Sequence, residues 1–429
     1  MNYRPLTKFK EGSLGELWKI SFPLMISSLA WLFMIFVDRC FLAQYSQDAL
    51  NAATSSGTLS WALLGSFGML TATGEIFVAQ YYGAKKYEKI GSPVWQMIYL
   101  SLLSFLVFIP LGIWGKDIFF STSKLSSLQS QYFAMLMFFA PFYPMLCGIA
   151  GFNVGRGKTK LLLYLALAAN IINIFLDWIL IFGYKSIPSM GIQGAAIATS
   201  IGSMFQATIL FILFLKKKNR EKYNTTNYKF DFALIKRIVK IGFPSSLFYA
   251  FEIIGWTIFY IMMTMISDIH ITIASICQSL IILFSFFMNG LYKGVSSISG
   301  NFIGSNRLHL IKKTYKSALL LQTFFAIFIA FFFIIHPMLI VDYLLIGNNN
   351  FENLSIILPT LKKCLFLSYI YVIFEGLRWI YAGLLTAAGD TFFLLISGAF
   401  SVWIFLLLPV YLIVVKYTQP VEIAYVIGA

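Results

Sequence analysis

The sequence predicts an all-α polytopic membrane protein built as two six-helix bundles that are parallel repeats of one another. Three observations predict it. Of 429 residues, 59% are hydrophobic and only 11% charged, with a mean hydropathy of +0.80, against roughly 25% charged in a soluble domain. The apolar residues fall in runs that match the roughly 20 helical residues needed to cross a bilayer. The second half of the chain also opens with a near copy of the first: Lys240-Ile-Gly-Phe-Pro244 repeats Lys19-Ile-Ser-Phe-Pro23.

Eleven runs of spanning length cover 20–43, 57–82, 94–114, 131–154, 161–183, 191–215, 238–266, 271–299, 317–341, 364–388 and 391–415. After Lys416-Tyr-Thr-Gln-Pro420, residues 421–429 turn apolar again and read as the first third of a twelfth helix, incomplete as it stands. The polar lead to Lys19 runs straight into the first span and has no cleavable signal pattern. If successive spans alternate sides, 23 of the 32 Lys and Arg fall on the side of the N-terminus and seven on the other, while Lys293 and Arg378 lie within spans. Positive residues collect in cytoplasmic loops, so a cytoplasmic N-terminus and a multi-pass place in the plasma membrane, the inner membrane of a bacterium, are expected. The same distribution accounts for the net charge of +15 without a nucleic-acid partner. Cys40, Cys147, Cys277 and Cys364 are far apart, with no metal-type or redox spacing, and read as free thiols.

The basic stretch 216–237 follows the sixth span and divides the chain into a first lobe (1–215) and a second (238–429). Further matches support the repeat. Gln80-Tyr-Tyr-Gly83 parallels Asn301-Phe-Ile-Gly304 in the register set by Lys19 and Lys240, and Gly157-Lys-Thr159 parallels Gly389-Asp-Thr391 in a register longer by eleven. That extra length fits a longer loop around Gly347-Asn-Asn-Asn-Phe-Glu352. Six spans per half make the repeats parallel, an arrangement that places substrate and ion sites near mid-membrane between the lobes.

Four of the acids that fall within spans carry this reading: Asp38, Asp177, Glu252 and Glu375. Each costs roughly 2.5 to 3.5 kcal/mol at the helix centre, which makes function the default reading. At about 1.5 Å per residue, Asp38 and Asp177 lie about 27 and 24 Å along spans one and five, and Glu252 and Glu375 about 21 and 19 Å from the inner ends of spans seven and ten. Each pair shares a level. Asn170 and Asn173 extend Asp177 into a polar stripe at i−7 and i−4, able to hold a proton or a hard cation or to glue helices together. Arg378, three residues after Glu375, allows an internal ion pair. Tyr249, Trp256 and Tyr260 share the face of Glu252, and Tyr371 precedes Glu375 by one turn; such rings attract lipophilic cations and are the candidate substrate-cavity residues. Gly290 and Gly294 permit close helix packing, and His336 reads as interfacial.

These residues resemble the multidrug and toxic compound extrusion (MATE) transporters. The resemblance rests on the proline-containing opening of each lobe, Phe36-Val-Asp38, Val78-Ala-Gln-Tyr-Tyr-Gly-Ala-Lys85, Asn173-Ile-Phe-Leu-Asp177, Glu252, and Glu375 fifteen residues before Asp390. It implies twelve helices in two bundles facing each other in a V. It also implies export of cationic amphiphilic compounds by Na⁺ or H⁺ antiport, with no other cofactor. Acids in spans one and five are associated in such proteins with protonation, and a pair in spans seven and ten with sodium, so Glu252 and Glu375 become a candidate Na⁺ site. The sequence departs from the pattern at Arg378, at Gly157-Lys158 where many members have Gly-Asp, and at the twelfth helix. The alternative, a flippase for lipid-linked saccharides, calls for a cavity lined by Arg and Lys, whereas the charges in these spans are mainly acids. An enzyme is not expected: no zinc-type His pair, nucleophile elbow or phosphate loop is present. The expected partners are cationic small molecules and the lipid bilayer, with the chain acting as a monomer.

Overall fold

The protein is described by a computed structural model that covers residues 6–337 and 354–429. Arg4 of the charge count and the Gly347–Glu352 loop lie outside the described residues. The chain forms α1 (Leu14–Tyr45), α2 (Gln47–Gly83), α3 (Tyr87–Phe120), α4 (Ser126–Phe139), α5 (Phe142–Val154), α6 (Lys160–Phe182) and α7 (Ile192–Phe214). A short α8 (Lys217–Tyr223) leads to α9 (Phe232–Ile266), α10 (Asp268–Gly304), α11 (His309–Ile335), α12 (Leu354–Ala388), α13 (Thr391–Val415) and α14 (Val421–Gly428). Ten of these are long and apolar enough to span a membrane, and α4 with α5, bent by 41° at a break containing Pro141, makes an eleventh. The count and order match the eleven apolar runs.

The basic segment between the halves is shorter than its hydropathy suggests. Residues 217–223 are helical, and α9 starts at Phe232 rather than 238, where Leu234 N–H donates to the Asp231 side chain at 2.9 Å. Hydropathy marks where a helix leaves lipid, and capping marks where it ends; the two differ here by about one and a half turns.

The repeat is written into the backbone. Lys85 and its equivalent Asn306 both take left-handed conformations, with φ of 60° and 56°, directly after α2 and α10. Gly157 and Gly389 do the same at 67° and 81°, and each lies against the equivalent isoleucine of its half, Ile20 or Ile241. Ser46 and Ser267, equivalent in the same register, cap α2 and α10.

The halves meet along α2 and α10, and the contacts are reciprocal. Gln80 donates its side-chain amide to the Ala387 carbonyl at 3.0 Å, and its equivalent Asn301 donates to Gly155, the equivalent of Ala387, at 2.9 Å. A Cβ on Gly83 would fall on the Asn301 backbone, and one on Gly304 would fall on that of Gln80. Only a pseudo-two-fold axis between the halves produces such exchange. Further bonds stitch the same end, where the basic segment also lies. Ser297 donates to the Val154 carbonyl at 2.6 Å, Arg307 pairs with Glu11 at 2.6 Å, and Ser317 donates to the Gly12 carbonyl at 2.8 Å. Gly290 against Met25 and Gly294 against Ser21 continue the seam along α1 and α10.

Close approach here depends on the missing side chains. Gly83→Leu is expected to wedge the halves apart and lower stability by about 1–3 kcal/mol or more, measured as a drop in the melting temperature of the detergent-solubilised protein. Leucine in place of the exposed Phe324 on α11 should leave it unchanged.

Candidate functional sites between and within the halves

The first acidic site is set by one helix–helix bond. Asn170 on α6 donates its side-chain amide to the Ala30 carbonyl of α1 at 2.6 Å. Both helices run the same way in the sequence-derived topology, so Asp38, eight residues beyond Ala30, and Asp177, seven beyond Asn170, arrive at one depth. Both are buried, with Asp177 and Asn173 fully so. The structure brings Asp38 close enough for its charge to act on Asp177. Asp177 has both carboxylate oxygens without a hydrogen-bond partner, as has Asn173 both amide atoms and Asp38 one oxygen. Asn170 itself is partly consumed as a bond between helices.

Arg39, placed by the charge count in an outer loop, turns inward instead. Its guanidinium lies 5.8 Å from the Tyr132 ring of α4, acts on the Asp38 carboxylate, and leaves Nη1 buried without a partner. The helix continues to Tyr45, and that extra length keeps Arg39 within the bundle. An arginine directly after an intramembrane aspartate was the available signal. The first site thus sets one basic group, acting on Asp38, beside two acids.

The second site repeats this ratio with other residues. Arg378 Nη2 reaches Glu252 Oε1 at 2.8 Å, and Arg378 Nε donates to Glu375 Oε2 at 2.7 Å; Nη2 also bonds Glu375 Oε1. Trp379 Nε1 donates to Glu375 Oε1 at 2.7 Å. The i+3 and i+4 spacing on α12 turns both side chains onto Glu375, while α9 supplies Glu252. The guanidinium also lies 5.2 Å from the Phe248 ring and 5.7 Å from that of Trp379. The shared level of Glu252 and Glu375 is therefore a shared guanidinium. Sodium takes several oxygen ligands, and here the facing oxygens of both acids accept from Arg378 and Trp379. Among the described residues no group of three or more His, Cys, Asp or Glu is placed to hold a metal.

The aromatic stripe of α9 divides. Tyr249 faces the other half, where a Cβ on Gly65 would strike its ring. Trp256 turns into the second half, stacking on Tyr260 at 6.4 Å and meeting Tyr371 edge-on at 5.7 Å. Trp256 and Tyr371, with Ser368 and Tyr425, line a cavity of about 20 Å³, room for one water.

A third charged site went unread in the sequence. Glu75 is buried in α2 directly after Gly74, and the charge acting on it is Lys293 of α10, on the other half. Glu75 shares a stripe with Ala79, and Lys293 shares one with Ser297 and Gly300; Ala79 and Gly300 touch at the seam. Glu75 lies within a predicted span, so the rule that flagged Glu252 applies equally to it.

This geometry defines a polytopic two-bundle membrane protein with charged groups in each bundle and at their junction. The chain belongs to the MatE family, whose model matches residues 23–179 and 244–412, one segment in each half. It is 24% identical over 251 residues to the probable multidrug resistance protein NorM of Thermotoga maritima, covering 57% of this chain and 53% of that one. With the Bacillus subtilis protein of the same description it shares 27% over 270 residues, 61% and 59% of the two chains. The chain thus spans about half the length of the curated relatives it matches. Among solved structures it superposes with a TM-score of 0.83 on a MOP superfamily transporter from Pyrococcus furiosus, at 18% identity and over 98% of this chain and 93% of that one. An outward-facing multidrug resistance MATE family transporter gives the same score at 17% identity and the same coverage. These likenesses establish the fold.

Removing one member of a buried charge pair leaves the other uncompensated. Lys293→Met and Glu75→Gln are each expected to lower thermal stability, and the double variant to recover part of the loss, with a coupling energy of about 0.5–3 kcal/mol. Losses that simply add would mean that the two charges act independently.

Proposed function

We propose that this protein is a secondary active exporter that drives cationic amphiphilic compounds out of a bacterial cell by inward flow of protons. One observation carries the reading: Asp177 is fully buried beside Asp38, with neither carboxylate oxygen hydrogen-bonded. Ionised, it would keep a desolvated, unpartnered charge at a cost of several kcal/mol; a proton removes that charge. Arg39 compensates only one of the two acids, so loading and release of one proton changes the net charge of the Asp38, Asp177 and Arg39 cluster between zero and minus one.

The family membership and the NorM relatives, described as multidrug resistance proteins, support export of drug-like compounds. The acids outnumber the basic groups in all three charged sites taken together, which favours cationic over anionic cargo. A lipid-linked saccharide flippase, which needs the opposite balance for its pyrophosphate, is disfavoured by the same count. Coupling requires that the protonated and unprotonated states differ in affinity for the cargo, and the α1–α6 pair is the element through which a charge change alters packing.

In everted vesicles with an acidic lumen, the wild-type protein should accumulate a cationic dye. Asp177→Asn should reduce this to background at unchanged membrane levels; wild-type rates in that variant would return the Asn170, Asn173 and Asp177 stripe to a purely structural role. For orientation, reporters fused within Lys217–Tyr223 are expected to report the cytoplasm, and those fused at the turn around Lys185 the outside, as the distribution of Lys and Arg requires.

A further inference from the structure

We propose that Arg378 is the tethered counter-ion of the second half: its guanidinium holds the place between Glu252 and Glu375 that a soluble cation would otherwise fill, which frees this protein from sodium. The transport arm of this inference rests on the export reading above, and its binding arm does not.

Three features carry it. First, the guanidinium is seated rather than merely adjacent, with Nη2 on Glu252 at 2.8 Å, Nε on Glu375 at 2.7 Å, and the rings of Phe248 and Trp379 at 5.2 and 5.7 Å. Trp379 fixes the Glu375 carboxylate from the far side at 2.7 Å, so the acid is aimed at the arginine before any ligand arrives. Second, the charge is permanent on the timescale of transport. Arginine does not give up its proton in proteins, and its planar fork suits two carboxylates better than an ammonium does. Being on the same chain, it competes with free ions at an effective concentration on the order of millimolar or more. Third, the compensation is incomplete. Two carboxylates face one guanidinium, so the site retains a single negative charge, enough to attract one cationic group without requiring a metal ion. About a third of the Arg378 side chain remains exposed (31%), against 19% for Glu252 and 11% for Glu375. The arginine is thus the member of the triad best able to move when a cationic cargo approaches.

The test compares wild type and Arg378→Ala in detergent, at equal ionic strength, in choline, sodium or guanidinium chloride at millimolar concentrations. The wild-type protein should melt at one temperature in all three. The variant, with two uncompensated carboxylates, should be stabilised by sodium and by guanidinium relative to choline. In proteoliposomes its efflux should rise about tenfold, roughly a 1.4 kcal/mol effect, when either cation is supplied, while wild-type efflux stays unchanged. Sodium-specific stabilisation of the wild-type protein, or a variant indifferent to both cations, overturns the proposal. If Arg378→Ala fails to insert, the Arg378→Ala/Glu375→Gln variant removes one charge of each sign and is read in the same way, with Glu252 as the remaining acid; indifference there overturns it as well. Should the melting pattern hold while wild-type protein moves no dye, the export reading falls and the assignment of Arg378 stands.

Discussion

The reciprocal exchange of amide and carbonyl between the two halves is the constraint on which the rest of the structure depends. Gln80 and Asn301 each donate across the pseudo-two-fold axis to the other half, at Ala387 and Gly155, and Gly83 and Gly304 let the two backbones approach closely enough for them to do so. In lipid there is little hydrophobic drive to bring helices together, so small residues and polar bonds have to supply it. These bonds between the halves gather at the end that carries the basic segment. Everything on either side of the seam is thereby held at a defined height, which decides the depth at which each intramembrane charge sits.

That fixed height gives the charges their partners. In the first half Arg39 acts on Asp38, and Asp38 on Asp177; in the second, Glu252 and Glu375 share Arg378; at the junction Lys293 acts on Glu75. Within each half the cluster has two acids to one basic group, so the balance is not closed. A fully compensated bundle would have no reason to take up a proton or a cation, and a bundle with no internal base would carry several buried negative charges at a prohibitive desolvation cost. The two-to-one ratio sits between these limits. The repeats share a scaffold and differ in chemistry. At the position equivalent to Asp38 the second half has Phe259, buried in its apolar core, and at the positions equivalent to Glu252 and Glu375 the first half has Trp31 and Tyr143.

The aromatic residues complete the division of labour. Trp31 packs edge-on against Trp61, and Trp61 against Tyr143, each at 5.3 Å, carrying a continuous line of rings from α1 through α2 toward the junction, where Tyr249 approaches from the other half. In the second half Tyr260 and Tyr371 pack on Trp256 instead.

The sequence by itself determined the class of this protein, its eleven spans, the duplication, and the acids at Asp38, Asp177, Glu252 and Glu375, since each of these is a local or periodic property. A bilayer demands about 20 apolar residues in a row, and a repeat shows as a constant displacement. It also set each pair of acids at a common depth, because the rise along a helix is constant. What it left undecided was direction around each helix: that Arg39 turns inward, that Arg378 bridges both glutamates, that Asn170 is spent on Ala30, and that Tyr249 parts company with Trp256. Those outcomes depend on how neighbouring helices rotate and cross, which no single helix encodes. Glu75 and Lys293 show the same limit most plainly, for they lie on different repeats, half the chain apart, and only the packing of α2 on α10 about the two-fold axis makes them neighbours.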